Sequence, residues 1–494
     1  MYNRRMSTTL STRKAKNTLF LIKQFLDGII YSPVNPAIVF SLCIFTYATK
    51  LSYIGLFLLS VYFCLLLALY DDITPVIPCA ISVCFMFRDL SITNIRNVVF
   101  DLLVLADAGF LIYHLIRFRP KKIAVGQLFV PLIAVMLAFF TGGLLSIYIY
   151  DYLKGLPFAI SLGLGIPALY FVFLNYVNPP ASFNLKLFLA QIFMYAGLAI
   201  AFEMIVHNIL GFTTYNLGWG NINLGATVFL LAVPLTFYLL TKARIILPYV
   251  FAILVLYLGA VLSRSDGVLA ILLVFSPIML IYAFKYMRAE KRKLFTYLCA
   301  FGIIAVLIVG ILAAYLGLTQ QLIEKLIKVM TDDNKRSDIY GEAWKLFINN
   351  PVFGVGEAYY NDALYEPGSG IIAAFNFHCT PLHILATMGL FGMICYVVYF
   401  VMRYRIIGVK NTCFTVFAFL TFSLFECYGF VDPAEFCLAP NMLNATIFIT
   451  LVELINSVPS NGHLPLFKST ANKVALYPYQ WQNLSPLYKK LYML

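Results

Sequence analysis

Long apolar runs separated by short polar stretches recur along the chain from residue 36 to residue 457. A bilayer core of about 30 Å takes roughly 20 apolar residues per helix, and on that measure the pattern predicts membrane spans rather than a soluble core. The runs fall at 36–49, 52–70, 73–87, 97–116, 124–149, 156–177, 187–206, 224–241, 246–263, 267–284, 294–316, 380–401, 412–428 and 441–457. The first and third are short for a full crossing. The expected fold is therefore all-α, a polytopic integral membrane protein with about 12–14 transmembrane helices.

Composition agrees with the pattern. Of the 494 residues 62% are hydrophobic and 12% charged, whereas soluble domains carry about 25% charged residues. The net charge of +13 is not spread as a nucleic-acid-binding face would be. Its basic residues cluster in an N-terminal arm (Arg4, Arg5, Arg13, Lys14, Lys16, Lys23), at 117–122, 241–244, 285–293 and 403–410, and in a tail with Lys468, Lys473, Lys489 and Lys490. With the spans above, these clusters all fall on one side, which the positive-inside rule makes cytoplasmic. Nucleic acid is excluded as a partner and the lipid bilayer is implied.

The organisation that follows is a basic cytoplasmic arm at 1–35, spans at 36–316, a long extracytoplasmic loop at 317–379, spans at 380–457 and a cytoplasmic tail at 458–494. No cleaved signal peptide is expected at the N-terminus. The cysteines are scattered through apolar runs, without metal-ligand spacing, and read as small buried hydrophobes. Cys379 and Cys437 are the two expected near one wet surface.

A connection as long as 317–379 is usually functional or disordered. Here Leu322, Leu326 and Val329, then Ile339, Ala343 and Phe347, recur at helical spacing, and Asn350-Pro351 with Gly354 and Gly356 supplies a stop and a turn. Two short helices near the membrane surface are expected there.

Four stretches bear polar groups on the outer side, and each reads two ways. Asn223, in the Gly-rich segment 215–226, is a helix cap or a site residue. Arg264 and Asp266 between two spans are a solvated turn or a functional pair. Arg336, Tyr340 and Trp344, four apart on one helical face, are a salt-bridging and interfacial set or a binding face. His378, with Cys379 and His383 after it, opens a span. His383 lies about 140° around the helix from His378 and reads as a satisfied polar residue of that helix or as a second base. Glu203, Asp101 and Asp107 fall within spans, where carboxylates are costly and need partners.

In this order the stretches resemble the O-antigen polymerase and O-antigen ligase superfamily, bacterial membrane glycosyltransferases that act on polyprenyl-diphosphate-linked glycans. The resemblance covers about 215–400 and rests on Asn223, the Ser263–Gly267 turn, Arg336 with Tyr340 or Trp344, Asn350, Pro351, Gly354 and Gly356, and His378 with Gly389 and Gly392. Two departures stand out. Cys379 occupies a position usually held by a small polar residue, and Asp266 stands where the family has arginine, with Arg264 two residues earlier.

The resemblance implies an enzyme of the plasma membrane whose site faces outward, and the lack of a DxD-type carboxylate pair in the sequence predicts that it works without a metal ion, with no cofactor expected. It implies His378 as catalytic base, because an imidazole accepts a proton at neutral pH. It implies Arg336 and Arg264 as diphosphate-binding residues, because guanidinium forks onto phosphate oxygens. Asn223, Tyr340, Trp344, Gly354, Gly356 and His383 would support them. The substrates implied are a polyprenyl-diphosphate-linked glycan donor and a glycan acceptor, with a flippase and a chain-length regulator as further partners. The implied reaction is polymerisation of lipid-linked repeat units into a cell-surface polysaccharide, such as a capsule. Ligase-like transfer of a finished glycan to a lipid or cell-wall acceptor is the alternative within the enzymes. A lipid-linked sugar transporter is the alternative outside them, and it would show internal repeats and midplane charges.

Overall fold

The computed structural model describes residues 25–83, 98–120, 122–146, 149–180, 183–211, 222–315, 336–357, 377–410, 412–432, 435–436 and 439–457. Among these residues every regular element is helical. In chain order they are α1 (Val34–Thr49), α2 (Ser52–Leu69), α3 (Ile77–Ser82), α4 (Val98–Arg117), α5 (Phe129–Thr141), α6 (Ile149–Phe158), α7 (Gly165–Tyr176) and α8 (Leu185–Ile209). There follow α9 (Ile222–Lys242), α10 (Leu247–Leu262), α11 (Asp266–Tyr286), α12 (Ala289–Tyr315), α13 (Arg336–Asn349), α14 (Thr380–Gly408), α15 (Cys413–Tyr428) and α16 (Ala439–Ser457). Six of the described helices are long and apolar enough to cross a membrane, and α1, α5, α10 and α15 are shorter apolar helices. The protein is a polytopic, all-α membrane protein.

Two expected spans come out differently. Of the run 73–87, the described residues form a 3₁₀ turn over Thr74–Val76 and the six-residue α3, with Pro75 and Pro78 in their first turns, where a missing N–H costs no helical bond. The run 124–149 yields only α5, which ends at Gly142 and Gly143. Gly143 has φ +83 and donates its N–H to Phe353 O at 2.8 Å, so docking against a distant segment stops the helix.

α9 is the axis of the bundle. Its apolar window is 94% buried, against 22% for the corresponding window of α11, so α9 is walled by protein while α11 presents most of its surface outward. α8, α10, α11 and α15 pack around it. Small residues bring α8 close to its neighbours: a Cβ on Gly197 would stand 2.5 Å from Ala232 Cβ of α9, and one on Gly259 of α10 2.5 Å from Ala201 Cβ.

Within this bundle Asp107 of α4 accepts from Ser60 Oγ of α2 at 2.6 Å. Arg403, grouped above with the basic cluster 403–410, is instead fully buried in α14 and ion-paired. Of the expected loop 317–379, the structure describes α13, the turn after it through Glu357, and Phe377 to Cys379. The expected helix at Leu322–Val329 lies outside the described residues, as do most of the N-terminal arm, 215–221, Cys437 and the tail 458–494.

Candidate active site

The start of α9, the α10–α11 turn, the start of α14 and the end of α15 meet at one end of the bundle. What joins them is the short segment after α15. Gly429 O accepts from Thr380 N at the first turn of α14 (2.7 Å), and Asp432 N donates to Tyr428 O (2.9 Å). Val431 presses on the α10–α11 turn so closely that a Cβ on Gly267 would lie 2.7 Å from its Cγ1.

Asp432, almost wholly buried on this segment, is the hub. One carboxylate oxygen meets His378 Nδ1 at 3.0 Å. The other accepts from Tyr428 Oη at 3.3 Å and faces Asn223 Nδ2 at 3.5 Å. A carboxylate on Nδ1 selects the tautomer that carries its proton there and its lone pair on Nε2, the form a general base needs. The His378 side chain is 32% exposed and that of Asp432 4%, so the imidazole is partly exposed with a buried carboxylate behind it.

His378 also has φ +51, a left-handed conformation that is uncommon outside glycine. Tyr340 of α13 donates its hydroxyl to His378 O at 3.3 Å and thereby ties that strained backbone to the outer helix. Arg264 shares the left-handed conformation, φ +55, and its side chain is exposed at the same end. Arg336, the first residue of α13, is half-buried and lies about one helical turn before Tyr340, whose hydroxyl meets His378 O. The arrangement gathers one imidazole and two guanidinium groups at the same end of the bundle.

The glycines of the turn do structural work. At Gly389 the helix α14 breaks, with φ +66 and ψ −160, leaving carbonyls and amides on either side without helical partners. The chain 351–356 supplies them: Val355 N donates to Ala386 O (2.9 Å), Gly356 N to Thr387 O (2.8 Å), Leu390 N to Pro351 O (2.8 Å) and Phe391 N to Val352 O (3.1 Å). A Cβ on Gly354 would stand 2.4 Å from Thr387 C, and one on Gly389 2.4 Å from Val352 O. The spacing of these glycines thus builds one joint between the outer segment and α14.

Two supporting candidates lie elsewhere. Trp344 is exposed and its ring meets Phe347 at 5.4 Å, away from the His378 contacts. His383 is buried in α14 with its Nε2 3.1 Å from Glu357 Oε2, while Glu357 Oε1 accepts from Thr387 Oγ1 at 3.0 Å. Cys379 carries a free thiol.

Asp432, Tyr428 and Glu357 were not among the candidates. The one signal for Asp432 is its place in a polar stretch between the runs 412–428 and 441–457, on the same side as His378. Among the described residues no three His, Cys, Asp or Glu side chains gather as they would to hold a metal ion.

A family model described as O-antigen ligase matches residues 249–397. The matched region includes Arg264, Arg336, Tyr340, His378 and the Gly354–Gly389 joint, and leaves out Asn223 and Asp432. No curated protein matches the chain. Over these residues, within a polytopic helical bundle, the chain is similar to the O-antigen ligase family, and the likeness supports the O-antigen ligase and polymerase superfamily.

Proposed function

We propose that the chain is a glycosyltransferase of the plasma membrane that joins polyprenyl-diphosphate-linked oligosaccharide repeat units into a cell-surface polysaccharide on the outer face. The observation that carries this reading is the His378–Asp432 pair at 3.0 Å, with the imidazole partly exposed and Arg336 and Arg264 at the same end. The basic clusters at 117–122, 241–244 and 285–293 support the orientation.

In the reaction, His378 Nε2 takes the proton of an acceptor hydroxyl as that oxygen bonds to the anomeric carbon of the donor glycan. The bond from that carbon to the diphosphate oxygen breaks, and the electron pair leaves with the polyprenyl diphosphate. Arg336 and Arg264 stabilise the charge that develops there, without a metal ion. Asp432 holds the imidazolium that forms. In polymerisation the acceptor is the non-reducing end of another lipid-linked unit, delivered by a flippase, and a chain-length regulator would set when transfer stops.

The family description, O-antigen ligase, favours a second reading in which the finished glycan passes to a lipid or cell-wall acceptor. Complementation of a polymerase-deficient host by wild type, His378→Ala and Arg336→Ala at matched membrane levels separates the two. Long polymer from wild type and single lipid-linked repeats from His378→Ala is the expected result. A variant that accumulates long polymer on its lipid, where wild type delivers it, identifies a ligase. Unchanged polymer from both variants would sink the assignment of base and cation.

A further inference from the structure

The segment that carries Asp432 is also held deep in the bundle, by charges that the reaction does not use. Three residues after Asp432, Glu435 meets Arg403 of α14, Nη1 lying 2.5 and 2.6 Å from its two carboxylate oxygens. The same guanidinium places Nη2 2.9 Å from Glu426 Oε1 of α15. Tyr396 Oη donates to the other Glu426 oxygen at 2.9 Å. The guanidinium lies 3.9 Å from the ring centroid of Tyr399 and 4.6 Å from that of Phe422. All three charged side chains are buried.

Next to Glu435, Phe436 adopts φ +67 and is fully buried. It stacks on Phe139 (5.6 Å) and meets Tyr396 edge-on (5.3 Å). A left-handed conformation at a bulky residue persists only where its surroundings over-determine it.

Stability is a poor explanation for the triad. Removing three charges from water is costly, and well-packed apolar residues commonly do as well or better in such places. What a guanidinium held by two carboxylates fixes is position and orientation. Here it ties α14, α15 and the segment after α15 to one another. The chain from Asp432 to Glu435 spans at most about 11 Å, so the clamp acts on the carboxylate behind His378 at short range.

We propose that Arg403, with Glu435 and Glu426, is a positioning device for the His378–Asp432 pair: it holds Glu435 and the end of α15 against α14 and so sets the Asp432 carboxylate behind the imidazole. The device touches no substrate. The proposal rests on the reading of His378 as base.

The test uses full-length protein in native membranes, with the lipid-linked repeat-unit fraction extracted from the host as donor probe. Glu435→Gln is measured alone and in the Asp432→Asn background, with His378→Ala alongside. A displacement of about 1 Å costs on the order of 100-fold, so Glu435→Gln should lower kcat by about that factor and leave the donor KM within about twofold. In the Asp432→Asn background the same change should cost nothing further, because both act through one contact. Arg403→Lys, which keeps the charge but not the fork, should fall between wild type and Glu435→Gln.

Losses that multiply in the double variant, or a loss confined to KM, would overturn the device. Should Glu435→Gln fail to fold, the uncharged triple variant Arg403→Met/Glu426→Gln/Glu435→Gln takes its place: kcat at the Asp432→Asn level supports the proposal, and wild-type kcat overturns it. Full activity in His378→Ala would remove the base reading and the proposal together. An inactive His378→Ala with multiplying losses would remove the device alone.

Discussion

His378 and His383 stand five residues apart, and each pairs with a carboxylate from a distant part of the chain, at 3.0 and 3.1 Å. The pairs differ in burial and backbone. The first has side chains 32% and 4% exposed and sits on a left-handed residue just before α14; the second is 0% and 3% exposed and lies within the helix. Equal distances therefore do not mean equal roles. A partly exposed imidazole can exchange a proton with a substrate, while one sealed in the bundle can only hold its partner. What His383 holds is Glu357, the end of the segment that docks on the break at Gly389.

The sharpest way to break this comparison is to neutralise each carboxylate in turn. Asp432→Asn should lower transfer by about 10²–10⁴-fold with little change in thermal unfolding, because the imidazole loses the partner that selects its tautomer. Glu357→Gln should cost about 1–3 kcal/mol of stability through a buried donor left without its acceptor, while transfer per folded molecule stays within about threefold. Rate assays and thermal unfolding on the same preparations give both numbers. Equal loss of transfer from the two variants would make the pairs one catalytic unit and end the distinction.

Gly389→Ala comes next in size, since it attacks the joint that both pairs flank. Alanine at φ +66, ψ −160, a region essentially only glycine adopts, costs about 1–3 kcal/mol from backbone sterics alone, and its Cβ would also displace Val352. The amides of Val355 and Gly356 should lose hydrogen-exchange protection, and transfer should fall about tenfold as Tyr340 loses its register on His378. Unchanged protection at those two amides would show that the joint does not depend on the glycine.

The helices were legible in the sequence because a bilayer demands long apolar runs. The runs 224–241 and 380–401 became Ile222–Lys242 and Thr380–Gly408. A tertiary contact caused one of the two misses: the Gly143–Phe353 bond cut short the run 124–149. His378, Tyr340, Asn223 and the paired glycines were legible as a pattern, and the structure links the first three through Asp432 and the His378 backbone. Asp432 itself was not, because a lone aspartate between two spans looks like any polar turn until the ends of α14 and α15 are known to meet. Arg403 was misread for a related reason: its sequence neighbours, Arg405 and Lys410, describe a basic loop, while its partners Glu426 and Glu435 lie in later parts of the chain.

Cys379 offers the smallest effect. It is the N-cap of α14, in an extended conformation suited to capping, yet it makes no side-chain cap hydrogen bond that meets normal geometry. Its thiol stands by the backbone N–H of Leu382, the third residue of the helix, and partial burial pushes that thiol up, keeping it a neutral, poor acceptor. Thr380 N is already taken by Gly429 O and Pro381 has no N–H, so Leu382 is the donor a cap would serve. Asparagine or serine there supplies an oxygen of the right reach, so Cys379→Asn should raise stability by about 0.5–1 kcal/mol, read as a higher unfolding temperature. The His378–Asp432 contact does not involve this side chain, so transfer should stay within about twofold of wild type. A larger change in rate would mean that the cap of α14 sets the angle of the imidazole, and that the exposed pair depends on its helix as closely as the buried one does.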